Sequence, residues 1–136
     1  TGMSCWLHCI STGEIMARIL IVDDSPTEMY KLAAMLEKKG HQVYKAENGA
    51  DGVALAKQEQ PDAVLMDIVM PGLNGFQATR QLTKSAETQH IPVIIVTTKD
   101  QETDRVWGKR QGAKDYLTKP IDETTLIKTL NAVLAG

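Results

Sequence analysis

The sequence predicts an α/β fold: a doubly wound, five-stranded parallel sheet of the (βα)5 kind, covered by helices on both faces. Three observations lead there. Short apolar runs of strand length recur along the chain, and segments with helical apolar spacing separate them. The runs are continuously apolar, as strands buried on both faces are. Several of them also end abruptly in acids.

Ala17–Val22 (ARILIV) is the first such run and leads into Asp23-Asp24. Ser25-Pro26-Thr27-Glu28 then marks a helix start, with Ser25 as cap, Pro26 at the first helical position and Glu28 closing a capping box. Met29, Leu32, Ala33 and Leu36 follow at helical spacing, and Gly40 ends the helix. Gln42–Ala46 is the second strand. Asn48 caps a second helix, with Ala50, Val53, Ala54 and Leu55 assigned to its inner face, before Pro61. Ala63–Met66 is the third strand, running into Asp67. Residues 71–75 form a turn, Phe76–Lys84 a third helix, and Ile91–Val96 the most apolar, central strand. Gln101–Gln111 is a polar fourth helix closed by Gly112; it carries Trp107 and an internal Gly108, which costs about 1 kcal/mol relative to Ala and predicts a pliable helix. Asp115–Leu117 is the last strand. Asp122–Leu134 is an amphipathic helix with Leu126, Leu130 and Val133 on one stripe, and Ile121 and Leu126 pair as a staple.

Composition narrows the function. The 136 residues suit one domain, 43% apolar and 24% charged, an ordinary globular mixture. With 15 basic and 17 acidic residues the formal charge is −2, so no basic field favours nucleic acid or anionic lipid. No apolar stretch reaches bilayer length, so no membrane insertion is expected. Aromatics make up 4%, which leaves the core to aliphatic side chains. Both cysteines fall in the first 15 residues, which excludes a disulfide framework for the rest and suits the cytoplasm. Residues 1–15 lack helix and strand periodicity and also the basic region of a signal peptide. They read as a flexible leader, either non-native or an extended start, with Thr1-Gly2 as a cloning scar. Residues 16–136 form the domain. Cys5-x-x-His8-Cys9 could be half a zinc site, but no second pair stands close in sequence, and His41 and His90 lack ligand spacing.

In a parallel α/β sheet the functional crevice lies at the carboxyl ends of the strands. This sequence puts Asp23-Asp24, Asp67, Thr97-Thr98 and Lys119-Pro120 there. Taken singly, each has a bland reading: acids cap helices, threonines make turns, and a lysine before proline is solvated. Taken together, three acids at one edge repel one another and call for a hard cation, for which Mg²⁺ is suited. A carboxylate beside Mg²⁺ can attack phosphorus to give an acyl phosphate, with Lys119 and the Thr97 hydroxyl on the phosphoryl oxygens. Asp67 stands alone after a central strand and is the better nucleophile; Asp23 and Asp24 are a pair suited to the metal.

The motifs ILIVDDSP (19–26), VLMDIVMPGLNG (64–75), VIIVTT (93–98) and GAKDYLTKP (112–120) stand in the order of one family. Residues 16–136 resemble the response-regulator receiver domain, the CheY-like fold of two-component signalling. The resemblance implies strand order 2-1-3-4-5. It also implies that Asp67 accepts phosphate from the phosphohistidine of a histidine kinase. Asp24, Asp67 and the Val69 backbone carbonyl would bind Mg²⁺, with Asp23 acting mainly through water. Thr97 and Lys119 would contact the phosphoryl group, Lys119–Pro120 would be cis, and Tyr116 would be an aromatic switch that turns inward with Thr97. The fourth helix, fifth strand and fifth helix, with Trp107 and Tyr116, would form the output face. Trp107 reads either as cover for the sheet edge or as a partner anchor on that face.

The stretch WGKRQGAKDYLTKP (107–120) looks closest to stand-alone receivers that serve type IV pilus twitching motility. A chemotaxis-type kinase is then the expected donor and the pilus machinery a possible target, for a monomer with no output domain after Leu134. It would signal by conformational switch or act as a phosphate sink, with catalysis limited to its own phosphorylation and slow autodephosphorylation. Val69 and Lys99 depart from the chemotaxis pattern beside the path of the hydrolytic water. Two other classes compete. A Mg²⁺-dependent aspartyl phosphohydrolase would need a general acid where Val69 stands. A flavodoxin-like carrier would need a glycine-rich phosphate loop where DDSP stands.

Overall fold

The computed structural model describes residues 17–70 and 72–135. The leader with Cys5, His8 and Cys9 lies outside the described residues, as does Pro71. Strand and helix alternate five times: β1 (Arg18–Val22), α1 (Pro26–Lys38), β2 (Gln42–Ala46), α2 (Gly49–Glu59), β3 (Ala63–Met66), α3 (Gly75–Lys84), β4 (Val93–Thr97), α4 (Glu102–Arg110), β5 (Asp115–Thr118) and α5 (Glu123–Ala135). Every strand pairing is parallel, in the order β2-β1-β3-β4-β5. No helix of the described residues is long and apolar enough to cross a membrane.

Side chains alternate across each strand, so each strand feeds two cores. Ile19, Ile21, Ala63, Leu65, Ile94 and Val96 point to one face, where α1 and α5 cover them with Leu32, Leu36, Leu126 and Leu130. Leu20, Val22, Val64, Met66 and Val93 point to the other, beneath Val53 and Ala56 of α2 and Ala78 and Leu82 of α3. Ile121 packs against the first core. Under α4 lies a small third cluster of Ile68, Ile95, Ala113 and Tyr116, with Phe76 against it.

Local chemistry departs from the sequence reading at four places. The central strand starts at Val93 rather than Ile91, because Pro92 has no N–H to donate; only its carbonyl pairs, accepting from Val64 N–H at 3.0 Å. In α2, Ala50 and Ala54 are exposed and Leu55 half-buried, while Gly49, Gly52, Val53 and Ala56 face inward. Reading by hydropathy passes over glycines, and here they form part of the inner face. The Ser25 hydroxyl does accept from Glu28 N–H at 3.4 Å, but the Ser25 N–H donates to Asp23 Oδ1 at 2.9 Å, so Glu28 does not close a box. The reciprocal capping box stands instead at α3, where Asn74 Oδ1 accepts from Gln77 N–H at 2.9 Å and Gln77 Oε1 from Asn74 N–H at 3.1 Å.

The register carries the site. Val22 pairs with Met66, so Asp23 and Asp67 emerge side by side, and Asp67 N–H donates to the Val22 carbonyl at 2.9 Å. Thr97 pairs with Thr118, and Lys119 N–H donates to the Thr97 carbonyl at 2.7 Å.

Candidate active site at the carboxyl edge of the sheet

Asp23 and Thr97 are 1% and 0% exposed, and Asp67 is buried as well; Asp24 is exposed beside them. One carboxylate oxygen from each of Asp23, Asp24 and Asp67 lies within 4.8 Å of the others. The Lys119 ammonium donates to Asp23 Oδ2 at 2.7 Å and stands 3.9 Å from Asp67 Oδ2. The Lys119–Pro120 peptide is cis. Gly75 is required at the start of α3: a Cβ there would collide with the Asp67 carbonyl and sit 2.7 Å from Ile68 Cα. Helix α3 thus starts hard against the backbone that carries Asp67.

Burial pushes the Asp67 carboxyl above the usual carboxylate range. Lys119 pulls it down, Asp23 pushes it up again, and hydrogen bonds from Ile68 N–H and Thr97 pull it down; the net direction is up. Two desolvated acids and an exposed third, with one ammonium among them, form an oxygen-only donor set. That is the chemistry of a hard divalent cation, and the residues present fit Mg²⁺.

The predicted residues Asp23, Asp24, Asp67, Thr97 and Lys119 therefore converge. Val69 is exposed beside them. Tyr116 is 3% exposed and faces inward; its hydroxyl donates to the Lys99 carbonyl at 2.7 Å. Burial pushes its phenol up to about 12. Trp107 is 48% exposed and rests edge-on against Phe76, ring centroids 6.5 Å apart, rather than covering the sheet. The α4 residue that faces the sheet is Gly108, where a Cβ would lie 2.8 Å from Ile95 Cδ1 and 3.1 Å from Tyr116 Cδ2. Gly108 marks close packing of α4 against β4 and β5.

Two residues escaped the sequence reading. Arg105 stacks its guanidinium 5.1 Å from the Tyr116 ring centroid and donates to Thr118 Oγ1 at 2.7 Å. Nothing in the local sequence announces this. Glu28 stands 3.8 Å from Lys119 Nζ, and its place in the first turn of α1, just after the Asp23-Asp24 strand end, could have put it near the site.

The description "response regulator receiver domain" matches residues 19–131, and the chain belongs to that family. It is 87% identical over 121 residues to Protein PilH of Pseudomonas aeruginosa, covering 89% of this chain and all of that one. Among solved structures it is similar to chemotaxis protein CheY4 of Vibrio cholerae, at TM-score 0.82 and 30% identity over 88% of this chain and 99% of that one. It is equally similar to the receiver domain of a Pseudomonas aeruginosa sensor histidine kinase, described with a magnesium ion coordinated in its active-site cleft. There the TM-score is 0.83 and the identity 30%, over 90% of this chain and all of that one.

Proposed function

We propose that Asp67 is the phosphoacceptor of a cytoplasmic phosphorelay, fed by a chemotaxis-type histidine kinase and serving type IV pilus twitching motility. The observation that carries the first part is the Lys119 ammonium, held 2.7 Å from the buried Asp23 and 3.9 Å from the buried Asp67. The likeness to PilH, together with the resemblance of residues 107–120 to twitching-motility receivers, supports the second.

In the transfer, an Asp67 carboxylate oxygen attacks the phosphorus of a phosphohistidine. The new O–P bond forms as the P–N bond breaks, and the imidazole leaves with the bonding pair. Asp67 thereby exchanges one negative charge for about two, by analogy with phosphate monoesters. Lys119, 3.9 Å from the Asp67 carboxylate, and the Thr97 hydroxyl, hydrogen-bonded to it, take the phosphoryl oxygens. Asp23, Asp24, Asp67 and the Val69 carbonyl would hold Mg²⁺, which when bound neutralises phosphoryl charge.

A switch is favoured by one chain of contacts. Lys99 N–H donates to Thr97 Oγ1 at 3.4 Å, and the Lys99 carbonyl accepts from Tyr116. Movement of Thr97 toward a phosphoryl group frees that N–H and shifts the acceptor of the Tyr116 hydroxyl, biasing one two-state element.

The test is phosphotransfer from purified kinase phosphodonor domains to the wild type and to Asp67→Ala. Label is expected on the wild type alone. Label retained by Asp67→Ala overturns the assignment.

A further inference from the structure

We infer that Glu28 is a positioning residue for the phosphoryl chemistry: its carboxylate competes with the phosphoryl group on Asp67 for the Lys119 ammonium. The inference rests on the reading of Asp67 as phosphoacceptor. Lys119 donates to Asp23 at 2.7 Å, and its two next neighbours are nearly equidistant, Glu28 Oε1 at 3.8 Å and Asp67 Oδ2 at 3.9 Å. Only small motions of the lysine head decide between them. The other Glu28 oxygen is 3.8 Å from the Lys31 ammonium, so Glu28 sits between two cations at the lip of the site.

The surroundings let the competition operate. Glu28 is on the first turn of α1, and its side chain is 36% exposed, whereas the Lys119 side chain is 9% exposed. It borders a groove of about 600 Å³ between α1 and the segment after β5, lined also by Lys31, Leu32, Lys119, Pro120 and Ile121. That open space lets the carboxylate follow the ammonium as it moves. A phosphoryl group on Asp67 adds negative charge on one side of Lys119, and Glu28 opposes it from another. The charge of Glu28 thereby weakens the hold of Lys119 on the phosphoryl oxygens. A helix-start acid with no such role would act only on the α1 dipole, and so only on stability.

The experiment compares wild type, Glu28→Gln, Glu28→Asp and Asp67→Asn for binding of beryllofluoride in excess Mg²⁺, followed by fluorine NMR and calorimetry. Glu28→Gln is expected to bind about two- to fivefold tighter than wild type, the range for loss of a partly exposed charge pair. Glu28→Asp keeps the charge and is expected to lie between the two. The gap between wild type and Glu28→Gln is expected to narrow as ionic strength rises. Equal or weaker binding by Glu28→Gln at unchanged melting temperature overturns the inference. So does identical behaviour of the Gln and Asp variants, which would mean packing rather than charge. If wild type and Asp67→Asn bind beryllofluoride alike, the phosphoacceptor reading itself has failed.

Discussion

Burial works against the Asp67 carboxylate, and its pKa stands above the ordinary range because desolvation and Asp23 outweigh Lys119 and two hydrogen bonds. The folded state then binds this proton more tightly than the unfolded chain does. The unfavourable contribution is therefore complete above the folded-state pKa, and it disappears as pH falls below the unfolded value of about 3.9. Asp67→Asn is expected to raise stability near neutral pH by about 0.5–2 kcal/mol, as relief of a functional charge commonly does. The gain should shrink toward low pH in denaturant titrations. A variant less stable than wild type at pH 7 would contradict an upward shift of this carboxyl. Thr79 supplies a second residue-scale prediction. Its hydroxyl is buried with no hydrogen-bond partner, so the isosteric Thr79→Val should stabilise by about 1 kcal/mol, read from the urea midpoint.

At the scale of elements, α4 is the weakly anchored helix. Its one buried residue is Gly108, and its hold on β5 runs through Arg105, to Thr118 Oγ1 and over the Tyr116 ring. Helix propensity alone says that Gly108→Ala gains about 1 kcal/mol. The contacts at 2.8 Å to Ile95 and 3.1 Å to Tyr116 say the reverse, because overpacking costs about 1–3 kcal/mol. We expect net destabilisation, with the largest amide shifts at Ile95 and Tyr116. Gly108→Ala more stable than wild type would mean that α4 yields freely. At the start of α3, the Asn74–Gln77 box satisfies the first N–H groups of that helix beside the backbone of Asp67. Its loss in Asn74→Ala should cost about 1 kcal/mol by thermal denaturation.

For the whole molecule, the acidic edge couples ion binding to folding. A cation held only by the native arrangement of Asp23, Asp24 and Asp67 stabilises by mass action, about 2.7 kcal/mol at a hundredfold excess over its dissociation constant. The melting temperature should therefore rise with added Mg²⁺ in the wild type and much less in Asp24→Asn. An equal rise in both would place the ion elsewhere.

Much of this was legible in the linear order of residues. Continuous apolar runs ending in Asp23, Asp67 and Thr97 marked buried parallel strands and their functional ends, because a strand covered on both faces can place polar groups only where it stops. That much follows from local hydropathy. The four motifs added the strand order by resemblance. What local pattern could not supply were distances between segments remote in the chain. The Lys119–Asp23 ion pair joins positions 96 residues apart, and Glu28 looked like a helix cap until α1 was packed beside the end of β5. Likewise the inner face of α2 is carried in part by glycines, and Gly108 is explained by Ile95 and Tyr116 rather than by its own helix. Periodicity reports what a segment prefers for itself. Which lysine meets which acid, and where a missing side chain makes room for a neighbour, is set by packing between segments, and only the folded chain decides it.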